Sequence, residues 1–128
     1  GYVQEAPLLE MLPFIDAMNI DLKSFSQEFY RNICNGNVDH VKRTIEIASK
    51  VCHVEITCLV IPGLNDSEEE IENMAMWLSS LSPDIPLHLT RFFPRYKMLD
   101  KPVTPRFVLE NLVSVAKKHL RHVYMGNI

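Results

Sequence analysis

Cysteine is scarce in this 128-residue sequence, and the three present, Cys34, Cys52 and Cys58, form no close pair. An odd number without tight spacing excludes a disulfide framework and favours a reducing, cytoplasmic setting. Metal and cluster sites need several thiolates converging from turns such as C-x-x-C, so no metal site is expected within the chain. Basic residues are not in excess either. The formal charge is −3, which argues against a nucleic-acid partner. No apolar run approaches the roughly 18 residues a membrane span requires. The opening Gly1-Tyr2-Val3-Gln4-Glu5 has no basic n-region and reads as no signal peptide. Neither G-x-G-x-x-G nor G-x-x-x-x-G-K-[ST] follows any strand, which removes the common nucleotide-binding sheets. Internal repeats and low-complexity segments are missing too.

What the sequence does have is an alternation of two hydrophobic periods. Residues 5–12 read as a short helix, and Ala17 to Lys23 as a strand that starts apolar and ends charged. A helical turn is expected over 26–30 and a loop at Asn35-Gly36-Asn37. Val38 to Val51 has Val41, Ile45 and Ala48 at helical spacing. Val54 to Ile61 is β-branched and mostly apolar, the pattern of a strand covered on both faces. Pro62-Gly63 ends it. Asn65 or Asp66 is expected to cap the next helix, which runs to about Leu81 with Ile71, Met74, Ala75 and Leu78 on one face and Glu68–Glu70 at its N-terminus. Met74, Met76 and Trp77 read as helix packing. Pro86 to Phe93 is a third strand. Thr104, as N-cap, and Pro105 open a last helix through Leu120, and Arg121 to Met125 reads as a short final strand. Strand and helix in alternation imply a parallel sheet with outer helices. A complete barrel typically takes about 250 residues, so this chain is expected to be the C-terminal fragment of one barrel domain, over residues 1–128.

Ligands gather at the C-terminal ends of parallel strands, and three such ends stand out. Strand alternation sends Asp21 and Lys23 to one face, where an acceptor and a cation side by side suit a ligand with both charges; a salt bridge closing the strand is the alternative. Val60-Ile61-Pro62-Gly63-Leu64-Asn65-Asp66 allows close backbone approach to a ligand, or is simply a strand-to-helix loop. Arg91-Phe92-Phe93-Pro94-Arg95-Tyr96-Lys97 offers charge and stacking, or is core and rim. The histidines have no evident acidic or thiol partner and receive no role.

In this order, the segments resemble the radical S-adenosylmethionine superfamily, above all the activating enzymes of glycyl-radical enzymes, such as pyruvate formate-lyase activating enzyme. The resemblance rests on Gly1-Tyr2, Ile15 to Lys23, Val60 to Asp66 and Arg91 to Pro94. It implies an α/β fold, the C-terminal portion of a partial (β/α)6 TIM-like barrel. It also implies a parent protein whose [4Fe–4S] cluster, held by a C-x-x-x-C-x-x-C loop outside this chain, reduces S-adenosylmethionine to release a 5′-deoxyadenosyl radical for hydrogen abstraction. Asp21 and Lys23 match the D-L-K pair that approaches S-adenosylmethionine, and Val60 would line the adenine region. Implied partners are a glycyl-radical enzyme or other protein substrate and an electron donor such as flavodoxin or ferredoxin. Thr57 stands where the pyruvate formate-lyase activator has an arginine, and Phe93 where relatives often carry a histidine; both leave the target of the radical open. The fragment alone is expected to be inactive, and to lack catalytic residues of its own.

Two other readings fit the residues. An aldolase-like barrel would use Lys23 as a Schiff-base lysine. A half-barrel could also act as a non-catalytic interaction module.

Overall fold

The computed structural model describes residues 17–24, 37–94 and 102–127. Among these residues four strands and three helices alternate: β1 (Ala17–Asp21), α1 (Val38–Ser49), β2 (His53–Val60), α2 (Glu68–Leu81), β3 (Leu87–Arg91), α3 (Arg106–Ala116) and β4 (Val123–Gly126). The strands form one sheet in the order β1-β2-β3-β4, every neighbouring pair parallel. This is the expected α/β arrangement, consistent with part of a TIM-like barrel. The expected helix over 5–12 and turn over 26–30 lie outside the described residues.

The first two helices form where an apolar stripe meets a capping side chain. Asn37 starts α1, its side-chain oxygen accepting from the Asp39 amide at 2.8 Å, and Val38, Val41, Ile45 and Ala48 turn inward. Ser67 starts α2 by accepting from the Glu70 amide at 3.2 Å, with three glutamates in the first turn where the helix dipole favours negative charge. Asn65 and Asp66 are therefore not the cap. Thr104 is not one either: Pro105 holds the N-cap position of α3 without a side-chain bond, because the Thr104 hydroxyl is committed elsewhere. Met76 is exposed, so of the three bulky residues assigned to packing in α2 it does not pack.

The core lies between the sheet and its helices. Ile20 and Leu22 from β1 and its extension, Ile56, Cys58 and Val60 from β2, and Leu87 and Leu89 from β3 meet Ile45, Ile71, Met74, Leu78, Leu109 and Leu112 there. Alternation turns the other side chains to the opposite face. In β2 these are Glu55 and Thr57, half-buried, and His53 and Leu59, exposed. The strand expected to be covered on both faces is thus covered on one. Its polar residues sit at every second position among β-branched ones, which is the period of a one-sided strand.

Candidate functional site

Both Asp21 and Lys23 are exposed, with Leu22 fully buried between them. The pair therefore projects, at the C-terminal end of β1, from the face of the sheet opposite the described helices. The segment that carries it is fixed along its length. The Leu22 amide donates to the Thr57 carbonyl at 3.0 Å. The Lys23 carbonyl accepts from Asn65 Nδ2 at 2.6 Å and from Cys58 Sγ at 3.6 Å. The Ser24 hydroxyl, itself buried, donates to Glu70 in the first turn of α2.

Asn65 is the centre of this arrangement. It is 1% exposed, and both ends of its amide bond to backbone. Nδ2 donates to the carbonyls of Lys23 and of Leu59, the latter at 2.8 Å, and Oδ1 accepts from the Ile61 amide at 2.7 Å. One side chain thereby ties the end of β1 to the turn after β2. The turn itself needs Gly63, whose φ of +78° is costly for a residue with a Cβ, and Asp66 accepts from the Gly63 amide at 3.2 Å.

A second buried side chain joins β2 to β3. Thr104, 0% exposed, donates from its hydroxyl to the Val60 carbonyl at 2.7 Å and accepts from the Phe92 amide at 3.1 Å. Arg91 Nε donates to the Thr104 carbonyl at 2.7 Å, and the Arg91 guanidinium lies 5.1 Å from the Phe93 ring centroid. Beyond β4, Asn127 takes φ 58° and donates from Nδ2 to the Arg91 carbonyl at 3.1 Å. The C-terminal edge of the sheet is thus fastened pair by pair through Asn65, Thr104 and Asn127. Replacing Thr104 with valine keeps its shape and leaves the Phe92 amide and Val60 carbonyl without their partner. The expected loss is about 1–3 kcal/mol of folding free energy, read as a lower urea midpoint at unchanged slope.

Val60 does not share the exposure of Asp21 and Lys23. Its side chain is wholly within the core and its carbonyl is taken by Thr104. Arg91 and Phe93 are partly exposed at the end of β3, and Arg95 to Lys97 lie outside the described residues.

The described cysteines, Cys52 and Cys58, form no cluster site. No group of three or more His, Cys, Asp or Glu that could hold a metal ion occurs among the described residues. Burial, reinforced by the negative charges of Glu70 and Asp21, pushes the Cys58 thiol up to about 12, so it stays protonated and unreactive in the folded chain. Alkylation by iodoacetamide at pH 8 should accordingly spare Cys58 in the native protein and reach it only in denaturant, as peptide mass spectrometry would show. Modification of Cys58 in the native state would mean that β2 is not packed as described. Burial raises the Cys52 thiol as well.

A second polar group, centred on Glu55, occupies the same face of the sheet. Glu55 accepts from His88 Nε2 at 2.6 Å and from His53 Nε2 at 3.2 Å. These two hydrogen bonds hold its carboxyl below the usual carboxylate range. The His88 and Tyr124 rings lie 5.2 Å apart, and Thr57 Oγ1 donates to Asn19 Oδ1 at 3.0 Å. A depression of about 380 Å³ opens here. His119 similarly meets Glu72 at 3.0 Å and lowers that carboxyl. Of the histidines read as partnerless from sequence, His53, His88 and His119 therefore have acidic partners, and those of His88 and His119 come from a neighbouring strand and helix, which residue order does not reveal. The one available signal was Glu55 itself, a charge in the middle of an apolar strand.

A family model described as the Radical SAM superfamily matches residues 4–78. Uncharacterized protein MJ0808 of Methanocaldococcus jannaschii is 37% identical over 131 residues, a match that takes in all of this chain and 38% of that protein. Uncharacterized protein MJ0804 of the same organism is 35% identical over 75 residues, 58% of this chain and 26% of that one. The chain thus spans well under half the length of these relatives. Among solved structures, a domain of pyruvate-formate lyase-activating enzyme from Bacteroides vulgatus superposes with a TM-score of 0.82 at 20% identity, covering 97% of this chain and 75% of that one. At that identity the likeness is one of fold.

Proposed function

Because the chain belongs to the radical SAM superfamily, we propose that the edge formed by Asp21 and Lys23 binds S-adenosylmethionine in a parent protein that cleaves it reductively. The observation that carries this reading is the exposed acid–cation pair on a strand end whose backbone is clamped by Asn65. S-adenosylmethionine carries a carboxylate, an ammonium and a sulfonium. Lys23 would meet the carboxylate, and Asp21 the ammonium or a ribose hydroxyl, each as a charge-assisted hydrogen bond. Val60 would act on the adenine region from beneath, by fixing the course of Ile61 to Gly63, since its own side chain belongs to the core.

When bound and reduced by one electron, S-adenosylmethionine supplies a 5′-deoxyadenosyl radical that removes a hydrogen atom from a substrate. The residues of this chain bind and orient it. The clamp holds Lys23 at the strand end before the ligand arrives, which lowers the ordering cost of binding. The [4Fe–4S] cluster implied by the family has no fitting ligand set among the described residues, and its ligands are proposed to lie outside this chain. The finer reading is an activating enzyme whose substrate is a glycyl-radical enzyme, with a flavodoxin or ferredoxin as electron donor and the cytoplasm as setting. It is supported by the D-L-K and I-P-G-x-N-D segments and by the fold shared with the Bacteroides domain.

The test is made on the parent protein at the length of its Methanocaldococcus relatives, reconstituted without oxygen and given S-adenosylmethionine and a reductant. 5′-Deoxyadenosine should form. A protein with a fully loaded cluster that yields none, with or without added substrate, would overturn the reading.

A further inference from the structure

We infer that the depression around Glu55 and His88 is a binding site for an N–H donor group, an amine or an amide, on the molecule that loses hydrogen. The inference rests on the radical reading for the fate of the bound group, and on the geometry of this face for the binding itself.

The lining is rich in acceptors. A carboxylate only accepts, so the Nε2 atoms of His53 and His88 must be the donors in their bonds to Glu55. In the neutral ring this leaves the lone pair on Nδ1. The His88 Nδ1 atom has no hydrogen-bond partner among the described residues, and the ring is partly exposed. A carboxylate behind an imidazole fixes its tautomer. Thr57 spends its hydroxyl proton on Asn19, so its oxygen also faces the depression as an acceptor. Thr90 and Asn127 complete the wall beside His88. Among the described residues, neither lysine nor arginine lines it. An anion would find no counter-charge here, whereas an N–H donor would find a carboxylate-backed nitrogen.

The position suits a substrate. Thr57 is the register partner of both Asp21 and His88, so the face that carries Glu55 and His88 continues into the face that carries Asp21 and Lys23. A ligand seated on the histidine would lie beside one held at the strand end, with no element between them among the described residues.

The purely structural alternative is that Glu55 and His88 form a cross-strand pair and nothing more. Nuclear magnetic resonance of the full chain with 15N-labelled histidine separates the two, at about pH 8, above the ordinary imidazole range. His88 is assigned from a His88→Gln sample. Methylammonium chloride probes a small amine, N-acetylglycine N-methylamide a peptide amide, and sodium acetate an anion. A saturable shift of the His88 Nδ1 resonance with either of the first two, absent with acetate, is expected; the one that binds more tightly identifies the source. Glu55→Gln and, separately, Thr90→Val should each weaken that binding about threefold or more. No saturable shift up to about 50 mM, an equal shift with acetate, or undiminished binding in both variants would overturn the inference. S-adenosylmethionine is absent throughout, so failure here leaves the cleavage test standing, and failure of cleavage leaves this result standing.

Discussion

Replacing Asn65 with leucine is expected to lower folding stability by about 3–5 kcal/mol, the largest effect of any single substitution considered for this chain. Leucine has similar bulk and no polar atoms. The Ile61 amide and the Lys23 and Leu59 carbonyls would each lose the partner that Asn65 provides, and a buried backbone group without a partner costs about 1–3 kcal/mol. The Lys23 carbonyl keeps a weak bond from the Cys58 thiol, which offsets only part of this. Aspartate is expected to do no better: it cannot donate to two carbonyls, and it places a charge in a site 1% exposed. Urea unfolding followed by circular dichroism measures the effect. A loss below 1 kcal/mol for leucine would show that the clamp is not structural.

Changing Lys23 to alanine is expected to weaken S-adenosylmethionine binding by the parent protein roughly 10- to 100-fold while leaving its stability nearly unchanged. The side chain is exposed, so truncating it removes little packing. A charge-assisted hydrogen bond to a carboxylate contributes about 1.5–3 kcal/mol, and each 1.4 kcal/mol is about tenfold in affinity. Asp21→Asn should produce a smaller loss, because the amide still accepts hydrogen bonds but no longer pairs with an ammonium. Equilibrium dialysis with labelled S-adenosylmethionine gives both values. Unchanged affinity in both variants would remove these residues from the site. The two experiments also separate support from contact, since Asn65 acts on the backbone and Lys23 through its side chain.

The family and the strand–helix alternation were legible from the sequence because both are carried by local patterns. Ile20, Leu22, Ile56 and Leu89 are buried where period-two alternation puts them, and Val41, Ile45 and Ala48 where helical spacing does. The Asp21–Lys23 pair was legible for the same reason, Asp21 ending β1 and Lys23 following two residues on in its extension. The fastening of the sheet edge was not. Thr104 and Asn65 each precede a helix and resemble caps, and only the neighbouring strand ends show that their polar atoms reach across to Val60 and Lys23. The Glu55–His88 pair was hidden for a related reason, because it joins residues 33 positions apart on adjacent strands. Membership of the radical SAM superfamily also removes the premise of the aldolase-like alternative for Lys23.

The account turns on where S-adenosylmethionine sits, and hydrogen–deuterium exchange of the parent protein with and without it reads that position directly. Binding at the proposed edge should slow exchange in peptides covering residues 21–24 and 61–66 and leave those of α3 unchanged. Protection confined to other parts of the protein, with both peptides exchanging as in its absence, would contradict the account.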